Sequence, residues 1–313
     1  MVNRELIRLK AVQILYAFYE NEGKDALTAQ KELFFGLDKS YELYRQLLLL
    51  MTAIQRIAVR TVETQQARAR RLSLPQVSDK FIRNRFMNQL EENIQLIEFR
   101  DSSKFSWLDH EDFLRRLYAQ IVDTDFYTEY MATTDTAYAD DRELWRKIYR
   151  TLLCNNEELD EILEMQSLYW NDDKAIVDTF VLKTINRFEE ENGAEQPILP
   201  QYKCEEDKIF AGSLIRNAIE NAEVYRQLIS AQTKNWNLER LAHMDLVIMQ
   251  LAVAELITIP TIPVVVTITE YVEIAKAYST PRSGSYVNGI LDALAHQLEK
   301  EGKLMDKTIS KQQ

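Results

Sequence analysis

Cationic side chains are the residues of this sequence whose spacing points most directly to a chemistry. Between Gln55 and Phe86 the chain has eight basic and two acidic side chains, a net charge of +6. Closely spaced arginines and lysines can bind the phosphates of a nucleic acid, because binding releases counterions. A solvated or internally paired helix face would account for the same residues, so charge alone leaves both interpretations open.

The opposite charge is concentrated in a second stretch. From Asn156 to Gln196 the chain has twelve acidic and three basic side chains, a net charge of −9. The formal net charge of the whole 313-residue chain, −11, is therefore an average over segments of opposite sign. It excludes a uniformly basic surface for binding nucleic acid, but it permits one local basic face.

Patterns for catalysis or metal binding are missing from the sequence. It has no glycine-rich phosphate loop, no HExxH motif and no CxxC pair, and its histidines, His110, His243 and His296, lack metal-ligand spacing. Neighbouring carboxylates such as Glu157 and Asp160 are typical of a solvated helix face. We therefore predict no catalytic residue, no metal site and no cofactor.

The elements that must position the basic residues are helices. The chain has only 7 glycines and 6 prolines, roughly a third of the usual proportion, and its apolar residues recur at three- and four-residue spacings. The sequence therefore predicts an all-α fold. The predicted helices cover residues 4–20, 39–71, 79–99, 107–121, 142–153, 157–170, 173–190, 206–232, 238–257, 270–278 and 286–298.

Breaker residues and β-branched residues predict the connections. The densest cluster of breakers, between residues 192 and 202, predicts a module boundary. The ten residues from Pro260 are rich in β-branched side chains and are predicted to form an extended connector, with Thr269 as the N-cap of the helix that follows.

The location of the protein is predicted from its cysteines and its first residues. Cys154 and Cys204 lie far apart, and no apolar signal-peptide core follows Met1. We expect a thiol-reduced, cytoplasmic protein with no membrane partner, because no apolar run reaches the length needed to cross a bilayer.

A particular order of motifs carries a family resemblance. The motifs are Trp236, LERL from Leu238, LVIMQLAVAEL from Leu246, IP at Ile259, ITEYVEIAKAY from Ile268 and YVNGILDAL from Tyr286. Their order resembles that of the NusB family of bacterial transcription antitermination factors, and LIRLKAVQILYAFYENEGKD near the N-terminus is similar to the family's opening helix. The resemblance covers residues 1–24 and about 206–300.

The resemblance implies an antiparallel helical bundle with an additional helical subdomain inserted after its first helix. We expect the first bundle helix in residues 1–24, the insertion in 25–204, the rest of the bundle in 205–300 and a flexible tail in 301–313. Within YVNGILD, we expect Gly289 to permit the close approach of a neighbouring element.

The resemblance also implies a function. Members of this family bind the single-stranded boxA element of ribosomal RNA leader transcripts together with NusE, a small-subunit ribosomal protein, within the RNA polymerase elongation complex. Single-stranded RNA is bound through cations at its phosphates and through aromatic or amide groups at its unstacked bases. The RNA-binding positions carried over to this sequence are Arg4, Arg8, Gln13, Tyr16, Arg282, Tyr286 and Asn288.

The sequence departs from the family pattern in its arginines. Glu5 and Leu6 lie where the family often has consecutive arginines, and Gln250 replaces an arginine common in the central helix. We expect the bundle alone to bind RNA more weakly and with less salt dependence. Our hypothesis is that the insertion supplies an auxiliary RNA-binding surface. Its residues would be Arg68, Arg70, Arg71, Arg83 and Arg85.

Two other functions stay open on sequence alone. One is a protein-only scaffold of the transcription complex, which would bind NusE but not RNA. The other is an RNA-modifying enzyme, because a NusB-like domain precedes the methyltransferase domain in the RsmB family of ribosomal RNA cytosine methyltransferases. That function requires a Rossmann-type domain and catalytic cysteines after the bundle, and neither Cys154 nor Cys204 lies in a predicted strand-loop setting. Binding of S-adenosylmethionine would favour it. We favour the non-enzymatic, RNA-binding function.

Overall fold

Helices form the regular elements in the part of the chain that the structure describes. The computed structural model describes residues 1–23, 25–233 and 242–304. Within these ranges the only extended pairing is an isolated parallel bridge between Val2 and Tyr202. The predicted all-α fold is confirmed. None of the described helices is both long and apolar enough to cross a membrane.

The α-helices of the described residues are numbered in chain order. They are α1 (Arg4–Glu20), α2 (Ala26–Leu72), α3 (Arg85–Glu91), α4 (Ile94–Ser102), α5 (Glu111–Val122), α6 (Asp125–Ala132), α7 (Tyr138–Ile148), α8 (Glu157–Gln166), α9 (Lys174–Arg187), α10 (Glu205–Glu220), α11 (Ala222–Gln232), α12 (His243–Thr258), α13 (Val264–Tyr278) and α14 (Ser283–Lys300). Short 3₁₀ segments cover Phe81–Arg83, Trp107–His110 and Glu190–Glu195, and Tyr149–Leu153 forms a π-helical segment that continues α7.

The chain divides into two compact units. The middle unit consists of Met1 and Lys39–Gln201, and the terminal unit consists of Val2–Asp38 and Tyr202–Gln313. Helix α2 begins in the terminal unit and continues into the middle unit. The domain limits given above from the sequence stay predictions.

Some of the predicted features lie outside the described residues. They are Trp236, the LERL motif at 238–241 and residues 305–313 of the predicted tail. The predicted helix 238–257 is therefore observed only from His243 onward.

Helix α12 is the centre of the terminal unit. Its residues from Val247 to Leu256 are buried, and α1, α10, α11, α13 and α14 all contact it. A helix that is apolar around its whole circumference is stable in water only when neighbours surround it. Helix α12 is therefore the core helix of the terminal unit.

The segment from Pro260 contradicts two predictions. Helix α13 already begins at Val264, so this stretch is not an extended connector, and Thr269 lies inside the helix instead of capping it. The physical reason is burial: Val264, Thr267 and Ile268 have helical spacing and are buried. Helix propensity is a weak preference, and contacts with the rest of the fold can override it.

Asparagine caps divide a helix of the middle unit that the sequence predicts as continuous. In the predicted helix 79–99, Asn84 accepts a hydrogen bond from Met87 N (3.0 Å) and Asn93 accepts one from Leu96 N (3.2 Å). Each side chain thus caps a new helix, α3 or α4. The same amides also donate to distant carbonyls, which holds the breaks in place.

A buried ionic cluster lies on α9 in the middle unit. Lys174 Nζ lies 2.8 Å from Asp178 Oδ2 and donates to the carbonyl of Leu153 at 3.0 Å. The hydroxyl of Tyr149, on the π-helical segment, donates to Asp178 Oδ1 at 2.6 Å. Burial raises the pKa of Asp178 and the nearby Lys174 opposes that rise. The cluster therefore depends on the ammonium group of Lys174.

We predict that Lys174→Met lowers the free energy of unfolding of the middle unit by about 3–5 kcal/mol, since it leaves Asp178 buried without its cation. Denaturation followed by tryptophan fluorescence measures this loss. Lys183→Met is the matched control, because Lys183 is exposed on the same helix. A similar effect of the two substitutions would contradict the prediction.

The close approach expected at Gly289 occurs instead at Gly284. A Cβ atom on Gly289 would meet no atom within 4 Å, so that expectation is wrong. A Cβ atom on Gly284 would lie 2.6 Å from Lys276 Cγ. Helices α13 and α14 therefore approach each other closely at the first turn of α14, outside the YVNGILD motif.

We predict that Gly289→Ala raises the free energy of unfolding of the terminal unit by about 0.5–1 kcal/mol, because alanine is favoured over glycine inside a helix. Gly284→Ala should not give this gain, since the Lys276 side chain would have to move. Chemical denaturation of both variants compares the two positions. A loss of stability in Gly289→Ala would show that an unrecognised contact exists there.

Candidate functional site

Helices α1 and α12 run antiparallel in the terminal unit. Glu20, at the C-terminal end of α1, lies 2.8 Å from Nδ1 of His243 in the first turn of α12. Arg8, in the second turn of α1, pairs with Glu255 in the last turn of α12. The residues predicted on α1 are therefore spread along α12, and they divide into two groups.

The first group is centred on a buried ion pair. Arg8 is 3% exposed, and its Nε and Nη2 atoms each donate to the carboxylate of Glu255 at 2.9 Å. Its Nη1 atom lies 3.2 Å from Glu270 Oε2. The guanidinium of Arg8 therefore connects α1 to both α12 and α13, and a direct contact of Arg8 with RNA stays a prediction.

Two hydroxyl groups also donate hydrogen bonds to Glu255. Thr267 Oγ1 donates to Oε1 at 2.8 Å, and the hydroxyl of Tyr271 donates to Oε2 at 3.2 Å. Burial would lower the pKa of Arg8, but its hydrogen bonds and its charge interaction with Glu255 outweigh that effect and raise the pKa. The guanidinium of Arg8 is therefore charged, and its pair with Glu255 is a hydrogen-bonded part of the core.

Arg4 remains partly accessible at the start of α1. Its side chain is 35% exposed, and Nε lies 3.3 Å from Asp207 Oδ1 on α10. Its guanidinium also lies over the ring of Phe210, 5.3 Å from the centroid. Arg4 lines a pocket of about 310 Å³ together with residues of α1, α13 and the preceding loop. This is the α1 arginine that a phosphate can approach.

The second group is an aromatic and cationic cluster at the C-terminal end of α1. The ring of Tyr16 lies 5.3 Å from that of His243, and the ring of Tyr19 lies 6.0 Å from it. The guanidinium of Arg226, on α11, lies over the ring of Tyr19 at 4.4 Å. Both tyrosines are half-buried, so parts of their rings remain accessible. Gln13, also half-buried, is one turn before Tyr16 on α1.

Gln250 holds this cluster together from within α12. Its side chain is fully buried, and its Nε2 atom donates to the hydroxyl of Tyr19 at 2.6 Å and to the carbonyl of Ala218 at 2.7 Å. Its Oε1 atom accepts from Arg226 Nε at 3.3 Å. The family pattern has an arginine at the position of Gln250. In this chain the amide of Gln250 instead positions Arg226, which lies on α11.

The predicted residues of α14 lie at its first two turns. Arg282 and Asn288 are exposed, and Tyr286 is half-buried. Burial, together with the charge of Asp245, raises the pKa of Tyr286. Ser283 Oγ donates to Asp245 Oδ2 at 2.9 Å, so the start of α14 is anchored to the first turn of α12. The same turn of α12 contributes His243 to the aromatic cluster.

The auxiliary residues lie in the middle unit and differ in their surroundings. Arg83 is paired with Asp79 at 2.7 Å. Arg85 is paired with Asp141 at 3.0 Å and with Glu190 at 3.2 Å, and its hydrogen bond to Asp141 raises its pKa. Both guanidiniums therefore already bind carboxylates of the chain.

The other three auxiliary arginines lie at the C-terminal end of α2. Arg68, Arg70 and Arg71 are exposed, and no ion pair joins them to a carboxylate in the described part of the chain. Within the basic stretch, this end of α2 therefore carries exposed positive charge that no ion pair of the described residues neutralises. The role of all five auxiliary residues in RNA binding stays a prediction.

Sequence reasoning missed three members of the aromatic cluster. Tyr19 could have been found, because it lies three residues after Tyr16 and therefore on the same face of α1. Arg226 and His243 have no local signal, since only the fold brings α11 and the start of α12 to this end of α1.

Comparison with known proteins identifies the family. The model of the NusB family matches residues 180–296. The transcription antitermination protein NusB of Salinibacter ruber is 36% identical over 130 residues, which are 40% of this chain and 81% of that protein. The protein of the same name from Geotalea daltonii is 37% identical over 138 residues, 44% of this chain and 91% of that protein.

A solved structure, that of T. maritima NusB, is also similar. The two sequences are 37% identical, the match covers 38% of this chain and 82% of the T. maritima chain, and the TM-score is 0.29. The sequence matches cover most of each NusB relative, and they leave about 180 N-terminal residues of this chain as an additional helical region. The chain therefore belongs to the NusB family.

Proposed function

We propose that this chain is an RNA-binding transcription antitermination factor that binds boxA RNA together with NusE and acts on ribosomal RNA operons. The observation that carries the proposal is the cluster of Tyr16, Tyr19 and Arg226, in which accessible aromatic rings adjoin a guanidinium. Aromatic rings that stack on bases, next to cations that bind phosphates, are typical of single-stranded RNA sites. The names of the relatives support the same function.

In the proposed complex, aromatic and amide side chains contact the bases, and guanidiniums contact the phosphates. Unstacked bases lie against Tyr16 and Tyr19, and the amides of Gln13 and Asn288 bond to base edges. Phosphates lie near the exposed or partly exposed guanidiniums, those of Arg4, Arg226 and Arg282. Tyr286 completes this surface at the start of α14. NusE and the RNA polymerase elongation complex are the protein partners in this proposal.

Arg8 has a positioning role in the proposal. Because Glu255 and Glu270 occupy its guanidinium, its effect on RNA binding comes through the orientation of α1. Arg4 lies four residues earlier on the same face of α1 and depends on that orientation.

The cysteines do not favour the alternative of an RNA-modifying enzyme. Burial raises the pKa of Cys154 to about 11, so its thiol is protonated at neutral pH and is a poor nucleophile. A hydrogen bond with Glu206 raises the pKa of Cys204. We propose no enzymatic reaction for this chain.

We predict that Tyr19→Ala weakens boxA binding by about 5- to 100-fold, as expected when one stacked base loses its aromatic partner. Fluorescence anisotropy with a labelled boxA oligonucleotide, in the presence of NusE, measures the affinity, and a scrambled RNA gives the sequence preference. Phe35→Ala is the control, because Phe35 is an exposed aromatic residue of the terminal unit outside the cluster.

The salt dependence separates phosphate contacts from stacking. Arg226→Gln should lower the slope of log affinity against log salt by about 0.7, the value for one phosphate contact with a single strand, whereas Lys208→Gln, an exposed control on α10, should leave it unchanged. Equal RNA affinities for all variants would exclude the cluster as the RNA site. Binding of NusE without any binding of RNA would identify a protein-only scaffold.

We predict that Arg8→Met lowers the free energy of unfolding of the terminal unit by about 3–5 kcal/mol, because it removes the guanidinium that pairs with the buried carboxylate of Glu255. The double variant Arg8→Met with Glu255→Leu should recover much of that loss, since both charges are then removed. Arg4→Met, at a partly exposed position, should have a much smaller effect. Denaturation of the three variants tests this, and an unchanged stability of Arg8→Met would contradict it.

A further inference from the structure

The C-terminal end of α2 in the middle unit combines positive charge with exposed apolar side chains. Arg68, Arg70 and Arg71 are exposed, and Leu72 and Leu74 are each 50% exposed. We call these five residues the basic end of α2. Phosphate binding would use the arginines, but it would leave both leucines in water.

The backbone holds the basic end in a defined conformation. Ser73 has a positive φ of 52°, and Leu74 N donates to the carbonyl of Ala69 at 3.0 Å. This is the pattern in which a residue in the left-handed conformation closes the last turn of a helix. The helix therefore ends in an ordered turn, and the exposed leucines belong to a preformed surface.

The second surface lies on α8, also in the middle unit. Glu157, Glu161 and Glu164 are exposed, and their spacing places them on one face of the helix. Beyond them, Met165 is 73% exposed and Leu168, two residues past the helix, is 81% exposed. We call these five residues the acidic face of α8.

The two surfaces are complementary in charge, and no ion pair within the described residues neutralises either of them. Among the described residues, the ion pairs nearest the acidic face are those of Arg116 with Glu158 and of Lys174 with Asp160, and neither uses a residue of the face. No ion pair of the described chain involves the arginines of the basic end. Both surfaces also offer exposed apolar contacts, which seldom cluster on a monomer without a binding role.

We propose that copies of this chain associate head to tail, with the basic end of α2 of one copy on the acidic face of α8 of the next. Oppositely charged arginines and glutamates would pair at the rim, while Leu72 and Leu74 would cover Met165 and Leu168. A contact between two different surfaces is heterologous, and it forms a ring or a linear chain of copies. Five residues on each surface make a small interface, so the association is weak and dependent on concentration.

Sedimentation velocity of the full chain between about 1 and about 100 µM tests the proposal, because interfaces of this kind have micromolar affinities. The expected result is a weight-average mass that rises with concentration and falls with added salt, since salt screens exposed charge pairs. A mass that stays at that of one chain over this range would overturn the proposal.

Charge reversal identifies the surfaces. The triple variant Arg68→Glu, Arg70→Glu and Arg71→Glu should weaken association at least about tenfold. The control Lys147→Glu, Lys183→Glu and Arg187→Glu changes the net charge equally at exposed positions of the middle unit outside both surfaces, and it should associate like the unchanged chain. Leu72→Ser with Leu74→Ser tests the apolar contact without changing the charge, and circular dichroism checks that each variant is folded.

Mixing gives the most specific result. A second triple variant, Glu157→Arg, Glu161→Arg and Glu164→Arg, should also associate at least about tenfold more weakly when alone, because both of its surfaces are basic. A mixture of the two triple variants restores both charge pairings, so it should associate. Failure of the mixture to associate would overturn the proposal. The proposal would also be overturned if the triple arginine reversal reduced RNA affinity but left self-association unchanged. That result would identify the basic end of α2 as an RNA surface.

Discussion

The buried ion pair between Arg8 and Glu255 is the interaction on which the terminal unit depends. It joins α1 to α12, and Glu270 and the hydroxyls of Thr267 and Tyr271 extend it to α13. Removing two charges from water costs free energy, and a buried ion pair offsets that cost only when nearly all of its hydrogen-bonding groups have partners. Such a pair often contributes little net stability and instead specifies one arrangement of the helices. Here it specifies the position of α1 along α12.

That position determines which groups of α1 are accessible. With Arg8 turned into the core, Arg4 remains at one end of the helix, and Tyr16 and Tyr19 lie at the other, against the first turn of α12. The same turn anchors α14 through Asp245. The proposed RNA surface is therefore assembled from α1, α11 and α14 around the first turn of α12, and Arg4 extends it to the other end of α1. Helix α1 has fewer consecutive arginines than the family pattern. Arg226 of α11, which donates a hydrogen bond to Gln250, contributes another guanidinium to this surface.

Local patterns predicted most of the helices, because their apolar spacing reflects contacts with the core. They failed where a distant contact decided the outcome. Val264 to Ile268 look like a strand by composition but are helical because one face is buried. Asn84 and Asn93 could not be recognised as helix caps, since their amides also bind carbonyls far along the chain. For the same reason the resemblance could place Arg8 on α1 but not reveal its burial, because Glu255 lies 247 residues away in sequence.

Photo-cross-linking of bound boxA RNA, followed by identification of the linked residues, locates the RNA surface on the chain. We expect cross-links at Tyr16 and Tyr19 and at the start of α14, in the terminal unit, and their loss with a scrambled RNA. Specific cross-links confined to the middle unit, Lys39–Gln201, would contradict it.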